Sequence, residues 1–233
     1  MSGKTEKAAS RLARLPALGM ELLFPARCPF CDAVLGFSGP CEACAEILRP
    51  LCRAAGTPVP AEGHEMRWMD AVYAPYFYES IVQNAILRMK FHGRPDLARP
   101  LAGRMAETLR EAGPSLRAEM IVPVPSGRGE LRRRGYDVPL NLARLLGKAL
   151  HLPVREALYK TRETTPQAGL SGEERRRNLH GAFAVRGDAA VAGRRILLVD
   201  DVYTTGTTLD ECAGALKAAG TALCTGICIA AVR

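Results

Sequence analysis

Two stretches of the 233-residue chain carry side chains whose types and spacing can do chemistry. The first, over 195–209, reads R-I-L-L-V-D-D-V-Y-T-T-G-T-T-L. Four consecutive apolar residues, Ile196 to Val199, predict a strand buried on both faces. Two carboxylates follow at once, Asp200 and Asp201, and then Thr204, Thr205, Gly206, Thr207 and Thr208. An apolar-periodic segment to about Ala219 completes the unit as a helix. A strand, a small polar turn and a helix start together make an anion site. Free backbone N–H groups converge there, and the positive end of the helix dipole points the same way. Gly206 lets the backbone close round a phosphate, and the threonine hydroxyls add short donors. A Walker loop is excluded because no lysine follows Gly206, and Gly3-Lys4-Thr5 has no room for the earlier glycine. The blander alternative is a buried strand ending in an ordinary capped helix. Two adjacent acids in that position are costly without a ligand.

The second stretch is Cys28-Pro-Phe-Cys31, nine residues, then Cys41-Glu-Ala-Cys44. Each C-x-x-C presents two thiolates from one tight turn, and two such knuckles supply the tetrahedral four-sulfur set that structural zinc prefers. The short gap predicts a small ribbon with little room for secondary structure. Such a segment cannot build its own core, so metal would supply much of its stability. Disulfides or a redox pair are the competing readings. Neither suits a cytosolic chain in which both pairs lie outside a βαβ unit. Cys52 stands alone, as a plain thiol near the ribbon or a spare ligand, while Cys212, Cys224 and Cys228 read as small core residues. His64, His92, His151 and His180 show no ligand or triad spacing.

The elements that must position these groups follow from composition and periodicity. Hydrophobic content of 48% with 24% charged residues places the chain among soluble globular proteins, and a net charge of +8 favours anionic partners. No window approaches the ~18 uninterrupted apolar residues of a membrane-spanning helix. The opening segment is basic and then apolar, like a signal peptide, but Pro16, Gly19 and Glu21 interrupt it, which points to the cytoplasm. Residues 4–24 predict an amphipathic helix whose Leu12, Leu15, Leu18, Leu22 and Leu23 pack on the next module, with a membrane surface or a partner as the alternative. The expected division is a helical lead over 1–25, a zinc ribbon over 26–57, a linker over 58–68 and one α/β domain over 69–233. Within that domain the pattern predicts strands over 71–78, 120–125, 154–159, 182–185 and 222–232, with helices over 80–91, 96–112 and 139–150. A flexible loop over 126–135 carries Arg128, Arg132, Arg133 and Arg134, and a turn-rich stretch over 161–180 carries Arg175. Strands alternating with helices, and a loop site at a strand's carboxyl end, give a parallel sheet with its ligand in the crevice.

An apolar strand followed by D-D-x-x-x-T-G-x-T resembles the signature of the type I phosphoribosyltransferases. The resemblance implies that Thr204 to Thr208 hold the 5-phosphate of phosphoribosyl pyrophosphate (PRPP). It also implies that Asp200 and Asp201, the candidate catalytic residues, hold the ribose 2- and 3-hydroxyls, with Mg²⁺ on the pyrophosphate nearby. Transfer from PRPP passes through an oxocarbenium-like state, so positioning and stabilisation of the leaving anion suffice without a nucleophile. Arg128, Arg132, Arg133, Arg134 and Arg175 suit pyrophosphate or nucleic acid equally, or form a solvated basic face. Purine-salvage members carry an aspartate where this chain has Thr204, which argues against a 6-oxopurine acceptor.

A longer ordered set narrows the resemblance. It comprises the two C-x-x-C pairs, Val122–Pro125, Arg132–Tyr136, T-P-Q-A-G-L-S over 165–171, Glu174, Arg175, Asn178 and residues 199–208. Together they resemble the ComF (GntX-like) family, which joins an amino-terminal zinc ribbon to a phosphoribosyltransferase-like domain. Two departures stand out: R-G-Y-D-V over 134–138 in place of R-G-F-N-Q, and Cys52 alone where a further C-x-x-C is common. The resemblance implies a role in natural competence, handling single-stranded DNA with an ATP-driven helicase partner, since the chain has no ATPase loop of its own. Arginines beside Tyr136 and Phe91 are compatible with strand binding through phosphate contact and stacking. Two further readings stay open: an active phosphoribosyltransferase with an unidentified acceptor, and a salvage or repair enzyme.

Overall fold

A computed structural model describes residues 25–36, 39–61, 66–113, 117–162 and 177–233. The helical lead expected over 4–24 and the segment over 165–176, with Arg175, lie outside the described residues. In chain order the elements are α1 (Glu42–Leu48), β1 (Ala71–Tyr73), β2 (Tyr76–Phe77), α2 (Ser80–Phe91), α3 (Ala98–Glu111) and β3 (Met120–Pro123). They continue with α4 (Arg128–Arg134), α5 (Val138–Leu150), β4 (Leu158–Lys160), β5 (Phe183–Val185), β6 (Arg195–Val199) and β7 (Val202–Tyr203). The chain closes with α6 (Thr207–Ala218), β8 (Leu223–Ile227) and β9 (Ala230–Ala231).

The central sheet is parallel, in the order β1-β8-β6-β3, and β4 and β5 form a separate antiparallel pair. Of the two inner strands of the central sheet, β6 is the predicted apolar run: Ile196, Leu197, Leu198 and Val199 are all fully buried. Alternation sends Leu197 and Val199 to one face, with Ile86, Met89, Leu101, Met105 and Leu142. Ile196 and Leu198 go to the other face, with Leu209, Cys212 and Leu216. Burial of each such side chain contributes about 1.5–3 kcal/mol, so β6 is firmly anchored on both faces. Cys212, Cys224 and Cys228 are buried on this second face, as small core residues.

Helix α2 forms where the spacing predicts it. Val82, Ala85, Ile86 and Met89 make its buried stripe, and His92 and Gly93 (φ +64°) end it. Helix α5 begins at Asp137, whose carboxylate accepts from the Leu140 N–H, and carries Pro139 in its first turn, where no N–H is needed. No helix among the described residues is long and apolar enough to cross a membrane.

Four expectations fail in instructive ways. The strand read over 71–78 is two strands, β1 and β2, because Pro75 has no N–H to continue a ladder. The strand read over 222–232 likewise divides into β8 and β9, and β6 is followed after a two-residue gap by β7. The second pieces pair in the order β2-β9-β7, which repeats β1-β8-β6. Three parallel strands therefore step together from one sheet into a smaller one. Hydrogen bonds from Cys228 N to Tyr73 O and from Ile229 N to Asp201 O carry the ladder across the step.

The arginine loop over 126–135 contains a helix, α4. Glu130 accepts from the Gly127 N–H and pairs with Arg134 one turn on, and Gly135 (φ +77°) closes the turn. The ribbon, expected to have little room for secondary structure, holds α1, which starts directly after Cys41 and includes Cys44. Cys28, Phe30, Cys44, Leu48 and Leu51 join the same core as α2, α3 and α5, so the ribbon borrows the domain's core in place of one of its own.

Candidate functional site

Asp200 and Asp201 occupy the step between β6 and β7. Each is fixed by its backbone: Asp200 N–H donates to Ile227 O, and Asp201 O accepts from Ile229 N–H. The Asp201 N–H also donates to Asp200 Oδ1 at 2.8 Å, which sets the angle between the two carboxylates. Burial, with the Asp201 charge beside it, pushes the Asp200 carboxyl up to about 7. Asp201 is buried and faces Lys90, whose Nζ lies 2.9 Å from Oδ1 and 2.8 Å from Oδ2. Burial alone would lower the Lys90 ammonium, but Asp201 and then Asp200 outweigh it and the group is raised.

The threonine loop closes as predicted into the start of α6, with Gly206 as its cap at φ +83°. The requirement for glycine has a second cause that sequence alone does not reveal. A Cβ at this position would lie 2.7 Å from Tyr203 Oη and 3.0 Å from Cζ. The fully buried Tyr203 ring is thus the floor on which the loop rests. Gly206 supplies no side-chain acceptor to the first turn of α6, Thr205 and Thr207 share a hydroxyl contact of 2.8 Å, and the helix start keeps its positive dipole end. This arrangement can hold an anion beside two carboxyl groups able to accept from hydroxyls.

The predicted arginines separate into three groups. Arg134 is 7% exposed, pairs with Glu130 at 3.3 Å, lies 4.9 Å from the Phe91 ring centroid and has an Nε without a partner. Arg133 lies over the same ring at 5.9 Å, and Phe91 itself is 48% exposed. Tyr136 Oη is buried without a partner, and burial raises its pKa. Arg134 acts electrostatically on Lys90, and Asp201 on Tyr136, so this cluster adjoins the acids. Arg128 turns to a cavity of about 470 Å³ at the carboxyl end of β3, lined also by Ser126, Asp137, Lys160, Arg162 and Arg186. Arg132 is exposed. Lys90 and Tyr203 were missed from sequence. The signal for Lys90 was present in the basic end of α2, K-F-H-G-R, immediately before a glycine stop.

The other centre is the ribbon. The Sγ atoms of Cys28, Cys31, Cys41 and Cys44 all lie within 4.8 Å of one another, with Cys31 and Cys41 at 3.6 Å. Four thiolates about 2.3 Å from a tetrahedral zinc stand roughly 3.8 Å apart, so the set fits that ion. Burial opposes the thiolate at Cys28, but backbone N–H groups of Cys41, Cys31 and Phe30 outweigh it and lower the group to about 6. Asp32, directly after Cys31, adopts φ +68°, which completes the tight turn of the first knuckle. Cys52 is exposed and bridges to Tyr76 at the edge of the small sheet, away from the four-sulfur set.

Comparison with known proteins agrees with this two-part construction. Residues 19–70 match the double zinc ribbon domain, of which the described cysteines complete one four-sulfur set, and residues 133–232 match the phosphoribosyl transferase domain. The chain is 31% identical over 220 residues to the DNA utilization protein YhgH of Escherichia coli strain K12, covering 86% of this chain and 95% of that one. It is 29% identical over 218 residues to competence protein F of Haemophilus influenzae, again covering 86% and 95%. Competence protein ComFC of Bacillus subtilis is 26% identical over 147 residues, covering 63% of this chain and 58% of the other. With a four-cysteine ribbon packed on a parallel-sheet phosphoribosyltransferase-like domain, and relatives that match along nearly their whole length, the chain belongs to the ComF family.

Proposed function

We propose that the chain binds PRPP, accompanied by Mg²⁺ on its pyrophosphate, at the step between β6 and β7, and uses this site in handling single-stranded DNA in the cytoplasm. The observation that carries the reading is the acid pair, locked by backbone hydrogen bonds, running straight into a left-handed glycine that opens a helix. Asp200 and Asp201 accept from the ribose 2- and 3-hydroxyls, and Thr204 to Thr208 with the start of α6 hold the 5-phosphate. The bound Mg²⁺ would neutralise the pyrophosphate. Arg134 and the Tyr136 hydroxyl, each with an unpartnered buried polar atom, supply further donors there. The part in DNA handling rests on the names of the relatives, DNA utilization protein and competence protein, and on the exposed Phe91 ring under two guanidinium groups. Such a ring suits base stacking with phosphate contact. A helicase partner would supply the motor, since the sequence has no nucleotide-triphosphate loop.

The test is calorimetric titration of PRPP with Mg²⁺, repeated with a single-stranded oligonucleotide over a salt series. We expect saturable PRPP binding, lost in Asp200→Asn/Asp201→Asn, and an oligonucleotide affinity that weakens as salt rises. Absence of PRPP binding to the wild-type chain would overturn the ligand assignment. Release of pyrophosphate in the presence of an acceptor would instead establish a transferase.

A further inference from the structure

The last turn of α2 grips both centres at once. On the ribbon side, Arg88 Nη2 donates to the Pro29 carbonyl at 2.6 Å and the Phe30 carbonyl at 3.0 Å, the two residues between Cys28 and Cys31. Arg94, just beyond the helix end, forms an ion pair at 2.7 Å with Asp32, the residue after Cys31. It holds Asp96 with two parallel hydrogen bonds of 2.9 Å, a fork that fixes its direction. On the other side, Lys90, two residues after Arg88, is the cation on Asp201. The last turn of α2 and the three residues after it thus carry the first cysteine knuckle at Arg88 and Arg94 and the acid pair at Lys90.

We propose that Arg88 and Arg94 are positioning residues through which the metal-loaded ribbon holds Lys90 against Asp201, so that zinc and PRPP stabilise each other's binding. This rests on the PRPP reading of the acid pair. The physical reason is the chemistry of the knuckle. The Pro29 and Phe30 carbonyls point at Arg88 while Cys28 and Cys31 are held in one turn; hydrogen bonds from Asp32 N to Cys28 O and from Cys28 N to Ala33 O close that turn, and an ion on all four thiolates would lock it. Without it, the Arg88 guanidinium loses both acceptors, and Asp32 is free to leave its left-handed conformation and with it Arg94. The turn between them then has no anchor on its outer side. Lys90 leaves Asp201, and two adjacent carboxylates, Asp201 buried and Asp200 half-buried, remain without their counter-charge, which disfavours charge on the pair that accepts from ribose hydroxyls.

Coupling between two binding sites is reciprocal, and that supplies a test that needs no variant. The zinc affinity of the full chain is measured by competition with a chromogenic chelator, with and without saturating PRPP and Mg²⁺. PRPP affinity is measured by calorimetry on the same preparations. We expect PRPP to tighten zinc binding at least tenfold. Arg88→Ala/Arg94→Ala should retain one zinc per chain yet bind PRPP at least tenfold more weakly, with affinity partly restored when Arg94→Lys replaces Arg94→Ala. In Lys90→Met the ribbon should stay loaded while PRPP no longer alters zinc affinity. A wild-type chain that binds PRPP but shows the same zinc affinity within twofold overturns the coupling alone. A wild-type chain that binds no PRPP overturns both the coupling and the ligand assignment.

Discussion

The four-cysteine ribbon and the acid loop both gather their working groups from a few consecutive residues, and they are held in opposite ways. The loop hangs from β6, whose apolar side chains are buried on both faces of the sheet, so its geometry exists before any ligand arrives. The ribbon has one seven-residue helix and a handful of apolar residues that lean on the domain's core. Its turns are set by four thiolates and their ion. Chelation should therefore act on the ribbon as unfolding, whereas ligand removal should leave the loop in place. Three measurements would break or sharpen that contrast.

The largest effect is expected from Cys28→Ser/Cys31→Ser. Structural zinc contributes about 10–16 kcal/mol of apparent binding free energy in small finger peptides at neutral pH, and this variant removes half the ligand set. Bound zinc should be lost, and residues 25–52 should become sensitive to protease while the parallel sheet stays protected in hydrogen exchange. Retention of stoichiometric zinc would show that the four thiolates are not its ligands.

Gly206→Ala should cost less and fall on the other region. A residue forced to φ +83°, with its Cβ 2.7 Å from Tyr203 Oη, carries a strain of about 1–3 kcal/mol. Thermal unfolding should shift down accordingly, with PRPP binding weakened and zinc content unchanged. Adding Tyr203→Phe should recover only the part due to the hydroxyl, because Cζ at 3.0 Å and the backbone conformation remain. Full recovery would assign the glycine to steric room alone.

The smallest effect concerns pH. The folded-state pKa of Asp200 is raised to about 7 from an ordinary 3.8, so between these values the folded chain keeps a proton that the unfolded chain has lost. The stability contributed by this group therefore falls as pH rises through that window. Asp200→Asn keeps an acceptor for the Asp201 N–H and removes the ionisable group. Its melting temperature should gain on the wild type at pH 8 relative to pH 5. An equal difference at both values would place Asp200 in an environment that leaves it ionised throughout.

What was legible in the sequence shares one property: it is contiguous. The β6–loop–α6 unit, the two knuckles and the stripe on α2 each lie within one short window, where period, turn chemistry and charge can be read together. Lys90 was not legible as a site residue because its partner Asp201 lies 111 positions away. The same holds for Tyr203, whose neighbours in sequence mark it as a strand residue and not as the floor beneath Gly206. Helix α4 was concealed by Gly127, Gly129 and Gly135, which favour a loop. The Glu130–Arg134 pair and the capping contact at Gly127 outweigh them. The divided strands went unread because a chain that changes sheet keeps its apolar run.

The shared step in β1, β8 and β6 makes this part of the molecule tolerant of changed letters and intolerant of changed length. All three strands must count the same number of residues between one sheet and the next, or the pairings Tyr76 with Ala230 and Val202 with Ala230 fall out of frame. One residue added between Val199 and Val202 would turn the Tyr203 ring to the opposite side of its sheet and carry the acids off their backbone partners. The step works as a ruler: it measures off the distance from the last apolar side chain of β6 to the first carboxylate, and from the second carboxylate to the tyrosine under the loop.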